Sequence, residues 1–271
     1  MPGAQITAAA LLDQAHSLAG GALLRADVVE GRTEVARARG EIADWLDVCR
    51  EEADRVVEAD PRRASLLLYQ VWDYVSEQYD AAAGRVLLDR MIGLSSEPDD
   101  DVYLVQACAW QAMLEDDVVA ARAATRRGLE LGAGRSTERA LEFGYELVYL
   151  GDSDAARGLL KPLIMRFRSE GSLLDLAKAL TALAALECRL GRLASAEAAG
   201  TEAVSLAEEA GLSYWVCDTL SVLCVVEALL GKESASAAHA QRLLELWPRV
   251  GLRSVLADAW HALGLSSRRL R

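Results

Sequence analysis

Apolar residues in the clearest stretch of the chain recur at spacings of three and four. Between residues 172 and 211 this spacing runs through a segment that ends at Gly191 and then through a second segment that ends at Gly211. Such spacing is typical of an amphipathic helix, and a glycine after the last apolar position is typical of a helix C-terminus. The pattern therefore predicts two antiparallel helices joined by a short turn.

The hairpin pattern recurs along the chain at a fixed interval. Two columns of glycine keep a step of 40 residues: Gly151, Gly191 and Gly231, and Gly171, Gly211 and Gly251. Self-similarity at such a period is typical of a solenoid, in which each unit buries its apolar face against its neighbours. We therefore predict an all-α fold, a right-handed superhelical solenoid of antiparallel helix pairs with repeats of about 35 to 40 residues.

Equivalent segments lie on both sides of this hairpin. Helices are predicted at residues 64–78, 81–92, 102–115, 118–131, 137–150, 154–170, 214–230, 233–250 and 252–269. Asp101, Asp152 and Ser172 precede three of the predicted helices, where their side chains suit an N-cap. Residues 93–101 contain a proline and an acidic run and are expected to form a longer loop.

The first part of the chain is less regular. Over residues 1–61 we expect two or three irregular or capping helices, interrupted by Gly20-Gly21 and by Gly31. Over residues 62–271 we predict helical repeats that end in a capping helix.

Composition favours a cytoplasmic protein that does not bind nucleic acid directly. The formal net charge is -12, from 41 acidic and 29 basic residues, and such a field repels phosphate backbones. The 5 cysteines form no C-x-x-C pair and lie in apolar stretches, as reduced core residues do. The chain opens without a basic n-region, and its longest apolar stretch contains Asp218 and Glu227, so we expect neither a signal peptide nor a membrane span.

Residues that could carry enzymatic or metal chemistry are few and scattered. His16, His239 and His261 lack the spacing of zinc ligands. The Gly231-Lys232 pair lacks the other residues of a phosphate-binding loop. We therefore predict no enzymatic activity, no metal site and no cofactor.

Small residues pair within each hairpin, one on the first helix and one twelve positions later on the second. The pairs are Ala109 with Ala121, Gly144 with Ala156, Ala184 with Ala196, and Cys224 with Ser236. In this respect the chain resembles the tetratricopeptide repeat (TPR), whose helices pack closely through such positions. Ala203 matches the third small position of that family, whereas Leu163 and Leu243 depart from it.

The step of 40 residues is longer than the ~34 residues of the TPR. It resembles the repeats in the sensor region of LuxR-type large ATP-binding transcriptional regulators, the maltose-regulator-like family, as do segments 190–196 and 207–212. The resemblance implies a bacterial protein. Members of that family carry an ATPase domain before the repeats and a helix-turn-helix domain after them. This chain shows neither motif, so it is either an isolated sensor region or a free-standing homologue.

If the first helix of each pair lines a concave side, as in TPR folds, fixed offsets from the small positions select an inner surface. The selected residues are Tyr103, Gln106, Trp110, Glu142, Tyr145, Tyr149, Lys178 and Arg189. Aromatic rings beside a few charged groups suit a ligand or peptide site, and Lys178 and Arg189 suit a carboxylate. Alternatively, Trp110, Tyr145 and Tyr149 pack between neighbouring repeats.

Together these patterns predict a non-catalytic binding module, the effector-sensing or protein-interaction region of a bacterial transcriptional regulator. It would bind a small effector or a protein partner on its concave face. The alternative is a free-standing TPR-like scaffold that binds a partner protein. Formation of a homodimer is compatible with both.

Overall fold

The protein is all-α. The computed structural model describes residues 2–94, 101–132 and 137–269, and this part of the chain forms 14 α-helices and no strand. The chain divides into two compact units, residues 1–136 and 137–271. The all-α class predicted from the apolar spacing is confirmed, and consecutive helices pack on one another.

In the part of unit 1 that the structure describes, seven α-helices follow one another and each packs on the next. They are α1 (Pro2–Leu18), α2 (Ala22–Arg39), α3 (Leu46–Val56), α4 (Pro61–Glu77), α5 (Ala81–Ile92), α6 (Val102–Leu114) and α7 (Val118–Gly132). A short 3-10 helix, Ile42–Trp45, lies between α2 and α3. In addition to these sequential contacts, α2 packs on α4 and α4 packs on α6.

Unit 2 contains the other seven helices, again packed in chain order. They are α8 (Thr137–Tyr149), α9 (Ser153–Glu170), α10 (Leu173–Arg189), α11 (Leu193–Glu209), α12 (Ser213–Leu230), α13 (Glu233–Val250) and α14 (Ser254–Arg269). Helices α8, α10, α12 and α14 also contact one another in succession. We call these four helices the first-helix row.

Glycine determines where the helices of unit 2 end. Gly151, Gly171, Gly191, Gly211, Gly231 and Gly251 all have positive φ, between 70° and 78°. After α10, the amide of Gly191 donates to the carbonyl of Cys188 and the amide of Arg192 to that of Glu187, both at 2.9 Å. This is a Schellman cap, which satisfies carbonyls that the helix leaves unbonded, and it favours glycine because only glycine adopts positive φ without strain.

Small residues bring paired helices close together, as the sequence predicted. Ser236 Oγ of α13 donates to the backbone carbonyl of Cys224 on α12 at 2.7 Å. Gly144 lies so close to α9 that an added Cβ would be 2.9 Å from Leu160 Cδ2. At these two positions a small residue allows the paired helices to approach closely.

Aromatic stacking supports the core of unit 1. The ring of Trp72, on α4, lies 5.5 Å from that of Tyr69 and 5.0 Å from that of Trp110 on α6, measured between centroids. Trp72 is only 2 % exposed. The stack therefore joins two helices that are separated by α5 in the chain.

A polar network joins α2 to α4. Arg37 is buried, forms an ion pair with Asp73 and donates from Nη2 to Gln70 Oε1 at 2.8 Å. Gln70 Nε2 in turn donates to Glu34 Oε1 at 2.7 Å. Buried charge is tolerated here because each group meets a partner of opposite charge or a hydrogen-bonding amide.

The predicted helix pairs from residue 64 onwards are confirmed, with ends that differ by a few residues. The predicted break at Gly20-Gly21 is also confirmed, because α1 ends before it and α2 begins after it. The predicted break at Gly31 is wrong: Gly31 lies inside α2, which continues to a left-handed cap at Gly40.

Two further predictions are not tested by the structure. The boundary predicted at residue 61 falls inside unit 1, where α3 packs on α4. Most of the loop predicted at residues 93–101 lies outside the described residues.

Among the predicted N-caps, Asp101 accepts from the amides of Tyr103 and Leu104. Asp152 and Ser172 occupy N-cap positions, but neither side chain bonds to the helix backbone. The Ser172 hydroxyl donates to Asp175 Oδ2 instead.

Candidate ligand-binding site

The residues predicted to line an inner surface fall in both units. In unit 1, Gln106 is fully buried and its Nε2 donates to Tyr69 Oη at 3.1 Å. Trp110 is half-buried and stacks on Trp72, and Tyr103 is half-buried on the first turn of α6. Gln106 and Trp110 thus pack between α4 and α6, as the alternative interpretation of the aromatic residues allowed.

In unit 2 the predicted residues lie on α8 and α10. Tyr145 is half-buried and its Oη donates to the backbone carbonyl of Lys178 at 2.8 Å. Glu142 is half-buried one turn earlier on α8, whereas Tyr149 is 57 % exposed at the end of that helix. Arg189 is exposed at the end of α10. The structure therefore brings Tyr145 and Lys178 together.

Lys178 is the most distinctive of these residues. It is only 4 % exposed, and its Nζ lies 5.1 Å from the centroid of the Trp215 ring on α12. A cation over an indole face is attracted by the negative charge of the π system. Within the described residues, no carboxylate forms an ion pair with Lys178.

The chain places Lys178 at this position through the packing of the first-helix row. Helix α10 contacts both α8 and α12, and Lys178 is buried on it. One turn further along, the hydroxyls of Thr181 and Thr219 bond to each other at 2.7 Å. Each hydroxyl also lies within hydrogen-bonding distance of a backbone carbonyl of its own helix, that of Ala177 for Thr181 and that of Trp215 for Thr219. The hydrogen-bonding needs of this pair are therefore met.

Two other buried charges in unit 2 are paired with a neighbouring helix. Glu187 on α10 accepts from Arg157 on α9 at 2.7 Å, and Glu227 on α12 bonds to His239 on α13 at 2.8 Å. These contacts join neighbouring helices. Lys178 differs from them because its ammonium meets an aromatic face in place of a carboxylate.

Four of the five cysteines do not suit nucleophilic chemistry. Burial raises the pKa of the Cys217 and Cys224 thiols to about 12, from an ordinary value of 9.0, and it also raises the pKa of Cys49 and Cys188. These thiols stay protonated at neutral pH, whereas nucleophilic attack requires the thiolate. In the part of the chain that the structure describes, no cluster of three or more His, Cys, Asp or Glu side chains is arranged to hold a metal ion.

Comparison with known protein families and with characterised proteins found no match to this chain. The interpretation of the site therefore depends on its geometry.

A second surface feature follows the solvent side of α11. It is an open groove of about 560 Å³, which we call the α11 groove. Its lining residues are Ala194, Glu197, Ala198, Thr201, Glu202, Ser205 and Leu206. Glu197 and Glu202 form ion pairs with Lys232 and Arg168, so the charges along the groove have partners within unit 2.

Among the helices that the structure describes, one is long and apolar enough to cross a membrane by length and composition. This is Ser213–Leu230, and 67% of it is buried inside the protein. It is α12, a member of the first-helix row, and the core helix of a globular domain has the same composition.

Sequence reasoning missed Trp215, the residue that contacts Lys178. The offset rule compared positions 40 residues apart, whereas Trp215 follows Lys178 by 37. A lag of three residues is nearly one helical turn, and a long lysine side chain spans that distance. A search that allowed one turn of lag between neighbouring repeats could have found this pair.

Proposed function

We propose that this protein is a non-catalytic binding module and that unit 2 binds a carboxylate-bearing ligand at Lys178. The observation that carries the proposal is a buried ammonium that contacts an aromatic ring and forms no ion pair among the described residues. Removing a cation from water without a counterion is costly, so proteins keep such groups mainly where a ligand or partner supplies the charge. Tyr145 and Trp215 fix the position of this lysine.

A carboxylate suits this site better than a neutral ligand. It would form a charge-assisted hydrogen bond with the ammonium, which is about twice as strong as a bond between neutral groups. The ring of Trp215 and the half-buried Tyr145 offer apolar contact for the rest of a small molecule or for a peptide side chain.

Calorimetry with the Lys178→Met variant tests the proposal. Methionine keeps the volume of the apolar stem and removes the charge. The probes are mono- and dicarboxylates from acetate to succinate, with glutamate added. We expect binding of at least one of them to weaken by about tenfold or more in the variant, which corresponds to at least ~1.4 kcal/mol.

Lys161→Met is the matched control, since Lys161 is exposed on α9. This variant should bind as the unchanged protein does. Equal affinity in the Lys178 and Lys161 variants, or no binding of any carboxylate, would overturn the proposal. Circular dichroism of each variant establishes that the fold is retained.

We further propose that the helix pairs form a TPR-like superhelix and act as the effector-sensing region of a bacterial transcriptional regulator in the cytoplasm. The support is the resemblance of the 40-residue repeat to that family and the left-handed glycines at the same step. The sequence of the complete gene tests this, since an ATPase domain before the repeats and a helix-turn-helix domain after them are expected. A complete gene without either domain would contradict it.

The α11 groove favours the second candidate function, a scaffold that binds a partner protein. Ala194, Ala198, Thr201 and Ser205 line it with small side chains, along which a partner helix could lie closely. In this case, Ala198→Arg should abolish capture of the partner from cell extract. Ser234→Arg, at an exposed position on α13, should leave capture unchanged.

A further inference from the structure

The three helices of the first-helix row that meet at Lys178 bring one positive charge to the site. Helix α12, which is described in full, contains no lysine or arginine. Arg189, the other basic residue of α10, follows Lys178 at a distance of ~16 Å along the helix axis. Arg139 on α8 precedes Tyr145 by a rotation of about 240°, so it lies on another face of that helix. A single ammonium therefore serves this site.

Carboxylates lie one helical turn from the residues that contact Lys178. Asp218 follows Trp215 on α12, and Glu142 precedes Tyr145 on α8, each at a spacing of three, and both acids are half-buried. Residues at that spacing lie on the same side of a helix. A second negative charge on a ligand would therefore face charges of its own sign, which opposes binding. The site suits a ligand with one carboxylate.

Aromatic rings form most of the remaining surroundings of the ammonium. The rings of Tyr214 and Trp215 meet edge to face, with centroids 4.9 Å apart, and both residues are buried. Tyr145 lies on the other side of α10 and is only half-buried, so part of its ring is open to contact. Aromatic pairs gain free energy beyond that of the area they bury. The body of the ligand is therefore better matched by a ring than by a polar group.

Burial limits the shape of the group that reaches Lys178. The lysine is only 4% exposed, whereas Tyr145, whose hydroxyl bonds to the Lys178 carbonyl, is accessible beside it. A bulky group cannot approach the ammonium directly. A carboxylate at the end of a short chain can do so while the ring to which it is attached stays at Tyr145.

We propose that the Lys178 site selects aromatic monocarboxylates in which a short aliphatic chain joins the ring to the carboxylate. This inference rests on the function proposed above for Lys178 and adds the class of ligand. The carboxylate pairs with Nζ of Lys178, and the ring packs on Tyr145. Dicarboxylates are rejected because the site holds no second cation on this face and carries acids beside it.

Calorimetry of the full chain with four probes tests the two parts of this selection. Hydrocinnamate has a ring and one carboxylate, and hexanoate has one carboxylate without a ring. Benzylsuccinate and adipate are their counterparts with a second carboxylate. We expect hydrocinnamate to bind about threefold or more tighter than hexanoate, and each monocarboxylate to bind about tenfold or more tighter than its dicarboxylate counterpart.

Variants of Tyr145 test the contact with the ring. Tyr145→Leu removes the aromatic ring, so hydrocinnamate should lose its advantage over hexanoate. Tyr145→Phe is the matched control, because it keeps the ring and removes only the hydrogen bond to the Lys178 carbonyl. That variant should retain the preference for hydrocinnamate. Equal preferences in the two variants would contradict a contact between the ligand and the Tyr145 ring.

Asp218→Asn tests the rejection of a second charge. The variant removes one negative charge beside Trp215, so benzylsuccinate should gain affinity relative to hydrocinnamate. Glu209→Gln is the control, since Glu209 is exposed on α11 and its loss should leave the ratio of the two affinities unchanged. Circular dichroism of each variant establishes that the fold is retained.

The outcomes separate this inference from the function on which it rests. Dicarboxylates that bind as tightly as monocarboxylates, with binding lost in Lys178→Met, would overturn the inference and leave the carboxylate site in place. The same holds if hexanoate binds as tightly as hydrocinnamate. If none of the probes binds, or if Lys178→Met binds them as the unchanged protein does, both proposals fail.

Discussion

The two units make their helix ends by different means. In unit 1, Asp60, Asp80 and Asp117 accept hydrogen bonds from the first backbone amides of α4, α5 and α7. In unit 2, the residues before α9, α10, α11, α12 and α13 make no such side-chain bond, and each of these helices follows a glycine with positive φ. Three helices of unit 1 therefore start with a side-chain cap, whereas the helices of unit 2 from α9 to α13 start after a left-handed glycine without one.

The turns within hairpins show the same contrast. Tyr79 and Asp116, in unit 1, have φ of 57° and 58°, a conformation that is strained for residues with a Cβ. Gly151, Gly191 and Gly231 hold the corresponding turns of unit 2 without that strain. A strict repeat in sequence thus accompanies unstrained turns, and an irregular sequence tolerates strained ones because tertiary packing offsets the cost.

Replacement of Trp72 should give the largest difference in stability between the two units. Trp72→Ala removes the centre of the aromatic stack and should destabilise unit 1 by about 3–5 kcal/mol. Hydrogen exchange monitored by mass spectrometry should show lost protection in α4, α5 and α6, with α10 to α13 unchanged. Met165→Ala is the control, because that side chain is exposed on α9 and its loss should leave exchange in both units unaltered.

If Trp72→Ala lowers protection equally in both units, the chain unfolds as one cooperative body and the comparison between units fails at the level of stability.

Helix glycines should respond in opposite directions in the two units. An alanine Cβ at Gly200 would lie 2.8 Å from Leu223 Cγ, so Gly200→Ala should destabilise unit 2 by about 1–3 kcal/mol. At Gly31 the nearest atom, Leu12 Cδ2, is 3.5 Å away, which is ordinary contact. Gly31→Ala should therefore stabilise unit 1 by about 0.5–1 kcal/mol through helix propensity. Urea denaturation measures both, and a loss of stability in both would contradict the assigned packing.

The position of Gly31 inside α2 explains one limit of the sequence prediction. A glycine inside a helix costs only about 1 kcal/mol relative to alanine, and α2 packs on α1, α3 and α4, so glycine alone does not end this helix. In unit 2 the glycines were correctly interpreted because each coincides with the end of an apolar pattern. Gly40, the true end of α2, lacks such a partner column in the repeat.

The candidate site, like the helix ends, was predictable from the sequence only in part. The offset rule selected Tyr145 and Lys178, which do come together, but it also selected Gln106, which is buried against Tyr69. An offset identifies the face of a helix on which a residue lies. It carries no information about which neighbour covers that face, since this depends on helix spacing that one sequence pattern does not encode.

Turn residues should give smaller effects, again of opposite sign. Gly191→Ala forces a Cβ into the left-handed region and should cost about 1–2 kcal/mol. Tyr79→Gly relieves the same strain and should leave unit 1 unchanged or more stable by up to about 1 kcal/mol. Thermal unfolding followed by circular dichroism measures both changes. A destabilised Tyr79→Gly protein would mean that contacts of the tyrosine ring outweigh the strain of its backbone.

Loss of a cap should give the smallest difference. Asp80 Oδ1 accepts from the amide of Ala83 at 3.0 Å, so Asp80→Ala should cost about 1 kcal/mol. Asp152 makes no side-chain cap bond, and Asp152→Ala should change stability by less than about 0.5 kcal/mol. Parallel urea titrations compare the two, and equal losses would show that charge near the helix end, and not the hydrogen bond, is what stabilises α5.

The left-handed glycines of unit 2 lie 20 residues apart from Gly151 to Gly251. Any stretch of 40 residues between two of them, such as 172–211, begins and ends with the same backbone geometry. If such a stretch were duplicated or deleted, the new junction would have the same turn conformation as the existing ones. Recombination can therefore lengthen or shorten unit 2 by one hairpin at a time. The turns of unit 1 do not recur at a fixed step, so unit 1 lacks this property.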